Sequence, residues 1–121
     1  MKSFALIFIV VIGFTTSTHS FGQSETELMG ECDYPQTPPV VNGRNATEAQ
    51  MIANQKEVKD YMDAGNAFLE CLDSANNTDS DDTSVEIKER VNKVHNSVVD
   101  AQTAVADLWK QALNAYKGKN N

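Results

Sequence analysis

The chain is short of the residues that carry chemistry. Two histidines, two cysteines and one tryptophan stand among its 121 residues. His95 is the only histidine beyond residue 22. No histidine-based metal site or His-containing triad can therefore draw on a second histidine, and His95 itself reads as a surface or boundary residue. Positive charge is scarce as well. Ten Lys and Arg face seventeen Asp and Glu, a formal charge of −7, which excludes nucleic acid and anionic lipid as partners because both need a cationic surface. Long apolar runs are missing beyond Phe4 to Phe14, and that run falls short of the roughly 20 residues needed to span a bilayer. Proline occurs three times, all within 35–39, so nothing after that stretch interrupts a helix.

What is there begins with a targeting pattern. Lys2 precedes the apolar run FALIFIVVIGF, and small and polar residues (TTSTHSFG) follow it. Residues 1–22 thus read as a signal peptide, with cleavage after Gly22 or, as an alternative, after Ser20. An uncleaved anchor is the competing reading. A lipoprotein is excluded, since Cys32 lies far past the apolar core and follows Glu31. Loss of Lys2 would leave nine basic against seventeen acidic residues, a charge of −8. The implied location is the periplasm or the exterior, where thiols oxidise.

Three segments follow. Residues 23–31 are short, polar and acidic and are expected to be disordered. Residues 32–46 (CDYPQTPPVVNGRNA) hold the prolines and predict an extended, polyproline-like arm. The remainder, 47–117, predicts a helical hairpin with helices over about 47–74 and 84–117. Thr47 and Gln50 have capping-box spacing, as do Thr83 and Glu86; the second helix starts at Thr83 or Ser84, and Gly118 marks its stop. Between the helices, SANNTDSDDTS has turn-forming chemistry and no apolar period.

The first helix carries a seam of Met51, Val58, Met62, Leu69 and Leu72, with Gln55 and Gly65 in its gaps. A second stripe is Tyr61, Ala64, Phe68 and Cys71, and two stripes imply two packing partners. The second helix has a 3.5-residue period through Ile87, Val91, Val94, Val98, Ala101, Val105, Leu108 and Ala112. A short link makes the pair antiparallel. The predicted register sets Leu72 opposite Ile87 and Gly65 opposite Val94 and Val98, and brings Met51 to Leu108. Gly65 then reads either as a close approach of the helices or as simple tolerance.

Cys32 and Cys71 can be joined by length alone. The helix from Thr47 to Cys71 runs about 36 Å at 1.5 Å per residue. The extended arm from Ala46 back to Cys32 covers about 43 Å at 3.1 Å per residue. An arm lying antiparallel to the helix therefore brings the cysteines together as a disulfide. The fold class is all-α: two long antiparallel helices with a proline-bearing arm tied back by that bridge.

The order Cys32, spaced prolines, Asn42-Gly43, Ala46-Thr47, Met51, Gln55, Val58-Lys59, Tyr61, then Phe68-Leu69-Glu70-Cys71-Leu72 resembles small uncharacterised exported proteins of Gram-negative bacteria. In those, a Cys-Pro arm precedes a helix ending in Tyr/Phe-Leu-x-Cys-Leu. The resemblance covers 32–72 and implies an exported helical protein without catalytic residues to carry over.

The residues themselves also point away from catalysis. The carboxylates fall on exposed helix faces, and both thiols are committed to the bridge. No cofactor or metal is expected. Asn77, Asp79, Asp81, Asp82 and Glu86 invite a calcium reading, but an EF-hand frame starting at Asn77 puts Asp82 at the glycine position and Lys88 at the bidentate one. A frame starting at Asp79 fails likewise, at Ser84 and Arg90. A solvated connection is favoured, with a cation-responsive module as the alternative. Val99, Trp109, Leu113 and Tyr116 are left off the seam, which predicts a structural or interaction protein that docks a partner or a second copy through the second helix.

Overall fold

A computed structural model describes residues 27–119. The expected signal peptide, its cleavage sites and residues 23–26 lie outside that range. Two helices dominate, α1 (Glu48–Asn76) and α2 (Val85–Lys119), and they pack on one another. There is no strand among the described residues.

Each helix starts where its local chemistry directs. Thr47 caps α1, accepting from Gln50 N–H at 3.2 Å while the Gln50 side chain accepts from Thr47 N–H at 2.9 Å. The capping box is thus complete, and the N–H groups of Thr47 and Gln50 are met. Asn77 closes α1 in the left-handed region at φ 48°, a conformation that asparagine tolerates. Of the two expected starts of α2, the structure takes Ser84. Ser84, not Thr83, accepts from the helix, from Ile87 N–H at 3.3 Å. Thr83 instead donates to the Asn77 carbonyl at 2.6 Å, which closes the acidic connection on itself. At its far end α2 runs through Gly118 to Lys119.

The buried face of α1 is Met51, Asn54, Val58, Tyr61, Gly65, Phe68 and Leu72. These alternate by three and four residues, the spacing of a heptad seam. The predicted seam was therefore displaced: Met62 and Leu69 sit half-buried at its edge, and an asparagine and a glycine lie inside it. On α2 the buried residues are Val91, Val98, Val105 and Ala112, one per heptad. The second line of contact passes from Val94 to Gln102 and Trp109. That drift is what a straight 3.6-residue helix does against a seven-residue repeat. It turns Leu108, expected in the seam, to solvent at 51% exposure.

The register also differs from expectation. Leu72 clusters with Val91 and Val98, Gly65 faces Gln102, and Tyr61 meets Val105. Relative to the predicted pairing, α2 is displaced by about one turn. The connection 77–84 takes up this length, and the first turn of α2 overhangs α1, leaving Val85 72% exposed.

The arm runs as expected from Cys32 to the turn at 43–45, without regular structure. Cys32 and Cys71 are bridged, their Cα atoms 5.8 Å apart across 39 positions of sequence. Closing a loop of that size stabilises by about 4 kcal/mol on the chain-entropy model. One expectation fails here. Residues 27–29 form a helical turn, not disordered chain. Leu28 is 5% exposed within the cluster of Phe68, Leu72, Val91 and Val98, and its carbonyl accepts from Asn76 Nδ2 at 2.7 Å. Because α2 overhangs α1, the end of the core needs a third wall, and Leu28 supplies it.

Candidate interaction surface

The arm divides the hairpin into two unlike faces. It reaches one flank of α1 through Tyr34, whose ring meets Phe68 edge-on at 5.1 Å and 69°. Val40 packs with Val58, Tyr61 and Val105. Asn54, 2% exposed, fixes the arm's backbone. Its Oδ1 accepts from Val41 N–H at 2.9 Å, and its Nδ2 donates to the Pro39 carbonyl at 2.7 Å and to Glu57 Oε2 at 2.8 Å. A polar residue inside an apolar seam is tolerated because all its groups are partnered, and among the described residues no buried side-chain donor or acceptor lacks a partner.

The turn beyond Val41 then crosses to α2. Asn42 Oδ1 accepts from Arg44 N–H at 3.1 Å, while its carbonyl accepts from the N–H groups of Asn45 and Ala46 at 3.0 and 2.9 Å. Gly43 lies on the backbone of α2. A Cβ there would stand 1.8 Å from the Ala112 oxygen and 3.0 Å from the Tyr116 nitrogen, so only glycine fits. Lys119 Nζ donates to the Ala46 carbonyl and lies 4.7 Å from the centre of the Tyr116 ring, which ties the end of α2 to the start of α1.

On the opposite face no described arm residue lines the surface cleft. There Ile52, Gln55, Lys56, Val58 and Lys59 of α1 line a shallow cleft with Trp109 of α2. Ile52 is 61% exposed. At 100° per residue, Val99 and Leu113 fall on this same side of α2, whereas Leu108 falls on the arm side; Leu108 accordingly lines a groove with Val40 and Ala112. The cleft's cations are matched within α1. Lys56 pairs with Asp60 at 2.5 Å and Lys59 with Asp63 at 2.6 Å. The Lys59 pKa is raised, first by the hydrogen bond to Asp63 and then by that carboxylate's charge, so Lys59 stays cationic through neutral pH.

The chain matches no known family, curated protein or solved structure.

The predicted interaction residues can now be placed. Val99 is exposed, while Trp109, Leu113 and Tyr116 are half-buried. Trp109 packs against the cluster of Val58, Tyr61 and Val105 while lining the cleft. Tyr116 sits apart from the open face, between the Gly43 turn and Lys119. Ile52 went unnoticed in the sequence because it stands alone, off every apolar stripe of α1. Among the described residues no three His, Cys, Asp or Glu side chains come together in a group that could hold a metal ion. No described helix is long and apolar enough to cross a membrane.

Proposed function

We propose that this chain is an exported, non-catalytic interaction module that docks a helix of a partner or of a second copy on the face opposite its arm. The observation that carries this reading is the division of the hairpin. The arm packs along one face, and the other, clear of it, leaves Ile52 and Val99 exposed and Trp109 half-buried. Aromatic side chains partly set into a surface, with aliphatic neighbours, are the usual anchors of helix and protein docking. Two helices with one open face are half of a four-helix bundle.

Export is supported by the signal-like residues 1–22 and by the Cys32–Cys71 bridge, which persists in oxidising compartments. The test is the molar mass of the oxidised chain by size-exclusion chromatography with light scattering, across a range of concentrations. A dimer that dissociates on Ile52→Ser supports docking of a second copy on this face. A monomer calls for cross-linking in the exported fraction through a photoreactive residue at position 52. Absence of any adduct there overturns the proposal.

A further inference from the structure

The two halves of the arm are secured in different ways. The half next to α1 is held by side-chain chemistry: Asn54 grips the backbone at Pro39 and Val41, Gly43 is seated on α2, and the chain continues directly into the capped helix. The other half, 27–38, rests on apolar contacts of Leu28, Met29 and Tyr34, the buried Pro35, the Asn76 bond to the Leu28 carbonyl, and the disulfide. Beneath it lie Phe68, Leu72, Val91 and Val98, each 2% exposed or less. The bridge itself is accessible. Both cysteines are half-buried and line a surface cleft with Glu31, Asp33, Ala64, Ala67 and Phe68.

We propose that the Cys32–Cys71 disulfide is a redox-operated latch on a cover formed by residues 27–38. Reduction by a dithiol releases the cover and bares the apolar surface of Phe68, Leu72, Val91 and Val98, while the hairpin and the Asn54-held half of the arm stay in place. The exchange balances as a two-electron transfer. A thiolate of the dithiol attacks one bridge sulfur; the Cys32–Cys71 bond breaks as a mixed disulfide forms, and the departing cysteine takes up a proton. The dithiol's second thiol then attacks the mixed disulfide, leaving two cysteine thiols and an oxidised, cyclic reductant. A disulfide oxidant reverses the sequence.

The cover depends on the latch because ordering its residues costs conformational entropy that its few contacts oppose weakly once the loop is open. The clamped half has no such dependence. Its Asn54 bonds at Pro39 and Val41 close loops of only 15 and 13 residues to α1.

Hydrogen–deuterium exchange of the full chain, oxidised and then reduced with dithiothreitol, tests this, with Trp109 fluorescence recorded in parallel. Trp109 is the sole tryptophan and packs in the distal cluster, so its emission reports the hairpin and not the cover. On reduction, exchange in 27–34, including the Cys32 amide bonded to the Met29 carbonyl, should rise at least a hundredfold. Exchange within 54–62 and 98–112 should stay far slower than in an unstructured chain even without the loop closure's global stabilisation, and Trp109 emission should hold its wavelength. A red shift of Trp109 with loss of protection throughout would reduce the bridge to a global staple and overturn the latch. Unchanged exchange in 27–34 would overturn it from the other side. The Cys32→Ser/Cys71→Ser chain, examined without reductant, should reproduce the reduced pattern.

Discussion

The Asn54 carboxamide accepts from Val41 N–H and donates to the Pro39 carbonyl, at 2.9 and 2.7 Å, so one side chain reads both sides of the arm's backbone. An extended segment without a strand partner otherwise leaves these groups to water or to nothing. A partly buried group that loses its partner costs about 1–3 kcal/mol. Asn54→Ala removes a donor and an acceptor together and is expected to destabilise by about 2–3 kcal/mol. For a domain of this size that is a drop in Tm on the order of 10 °C. Asn54→Asp keeps the acceptor but replaces the donor with a charge beside Glu57, and should fall at least as far at neutral pH. Thermal unfolding of the oxidised chain checks both, and a loss under 0.5 °C for either would show that the arm is held by other means.

Gly43 and Gly65 are both close-approach glycines, yet they should respond differently to alanine. At Gly43 the obstruction is the Ala112 backbone oxygen, 1.8 Å from a built Cβ, and a helix backbone cannot yield. Gly43→Ala is expected to cost about 3 kcal/mol, the upper range for overpacking. At Gly65 the nearest atom is Gln102 Nε2 at 2.4 Å, the far end of a flexible side chain. Moving it sacrifices its 3.0 Å bond to the Met62 carbonyl, while alanine returns about 1 kcal/mol of helix propensity. The two effects nearly cancel, so Gly65→Ala should lie within about 1 kcal/mol of the parent. In a Gln102→Ala background the clash is gone and Gly65→Ala should stabilise. Denaturant midpoints of the four chains form the cycle that separates these contributions.

This contrast shows where the fold is legible in the sequence. The Thr47–Gln50 cap depends on residues three apart and could be read directly. The disulfide followed from two lengths that nearly agree. Gly65 falls in the seam of α1 as read from the sequence, but a search for apolar residues steps over Asn54 in favour of Gln55 and takes Met62 and Leu69 where Tyr61 and Phe68 carry the three-four spacing. Register and the burial of Leu28 are linked through the connection 77–84, whose path decides how far α2 overhangs α1. No local pattern encodes that path. The candidate surface was half legible. Trp109 and Leu113 could be seen as surplus to a seam, but which face they occupy depends on where the arm lies, and Ile52 enters only through that geometry.

Trp109 serves both the core and the open face, so its removal mixes two effects. Trp109→Ala should weaken association and also destabilise the monomer by about 3 kcal/mol, as large-to-small changes in partly buried aromatics do. Ile52→Ser separates them. With 61% of its surface already in water, it should leave Tm within about 2 °C, since surface changes are mostly within 0.5 kcal/mol. Its effect on association should be at least tenfold in dissociation constant, a fold-change that corresponds to about 1.4 kcal/mol. Leu108→Ser, on the arm side, is the control and should leave association unchanged. Sedimentation equilibrium of the three variants at matched concentrations measures this, and equal effects of Ile52→Ser and Leu108→Ser would remove the distinction between the faces.

Glu31 and Asp33 flank Cys32 and line the cleft over the bridge. Reduction brings an anionic thiolate to this place and, as the bond breaks, passes its negative charge to the departing cysteine sulfur. Two nearby carboxylates disfavour both events, since like charges oppose the charged form of a thiol. The pair therefore acts to slow the latch. Glu31→Gln/Asp33→Asn should speed reduction by dithiothreitol by roughly three- to tenfold at low salt, a modest factor because exposed charges are screened at an effective dielectric near that of water. Raising ionic strength to about 1 M shortens the screening length to about 3 Å, so the parent should accelerate toward the variant while the variant barely changes. Rates from quenched-flow alkylation of the freed thiols at several salt concentrations make the comparison, and parallel salt dependence in both chains would show that the carboxylates do not act on the exchange.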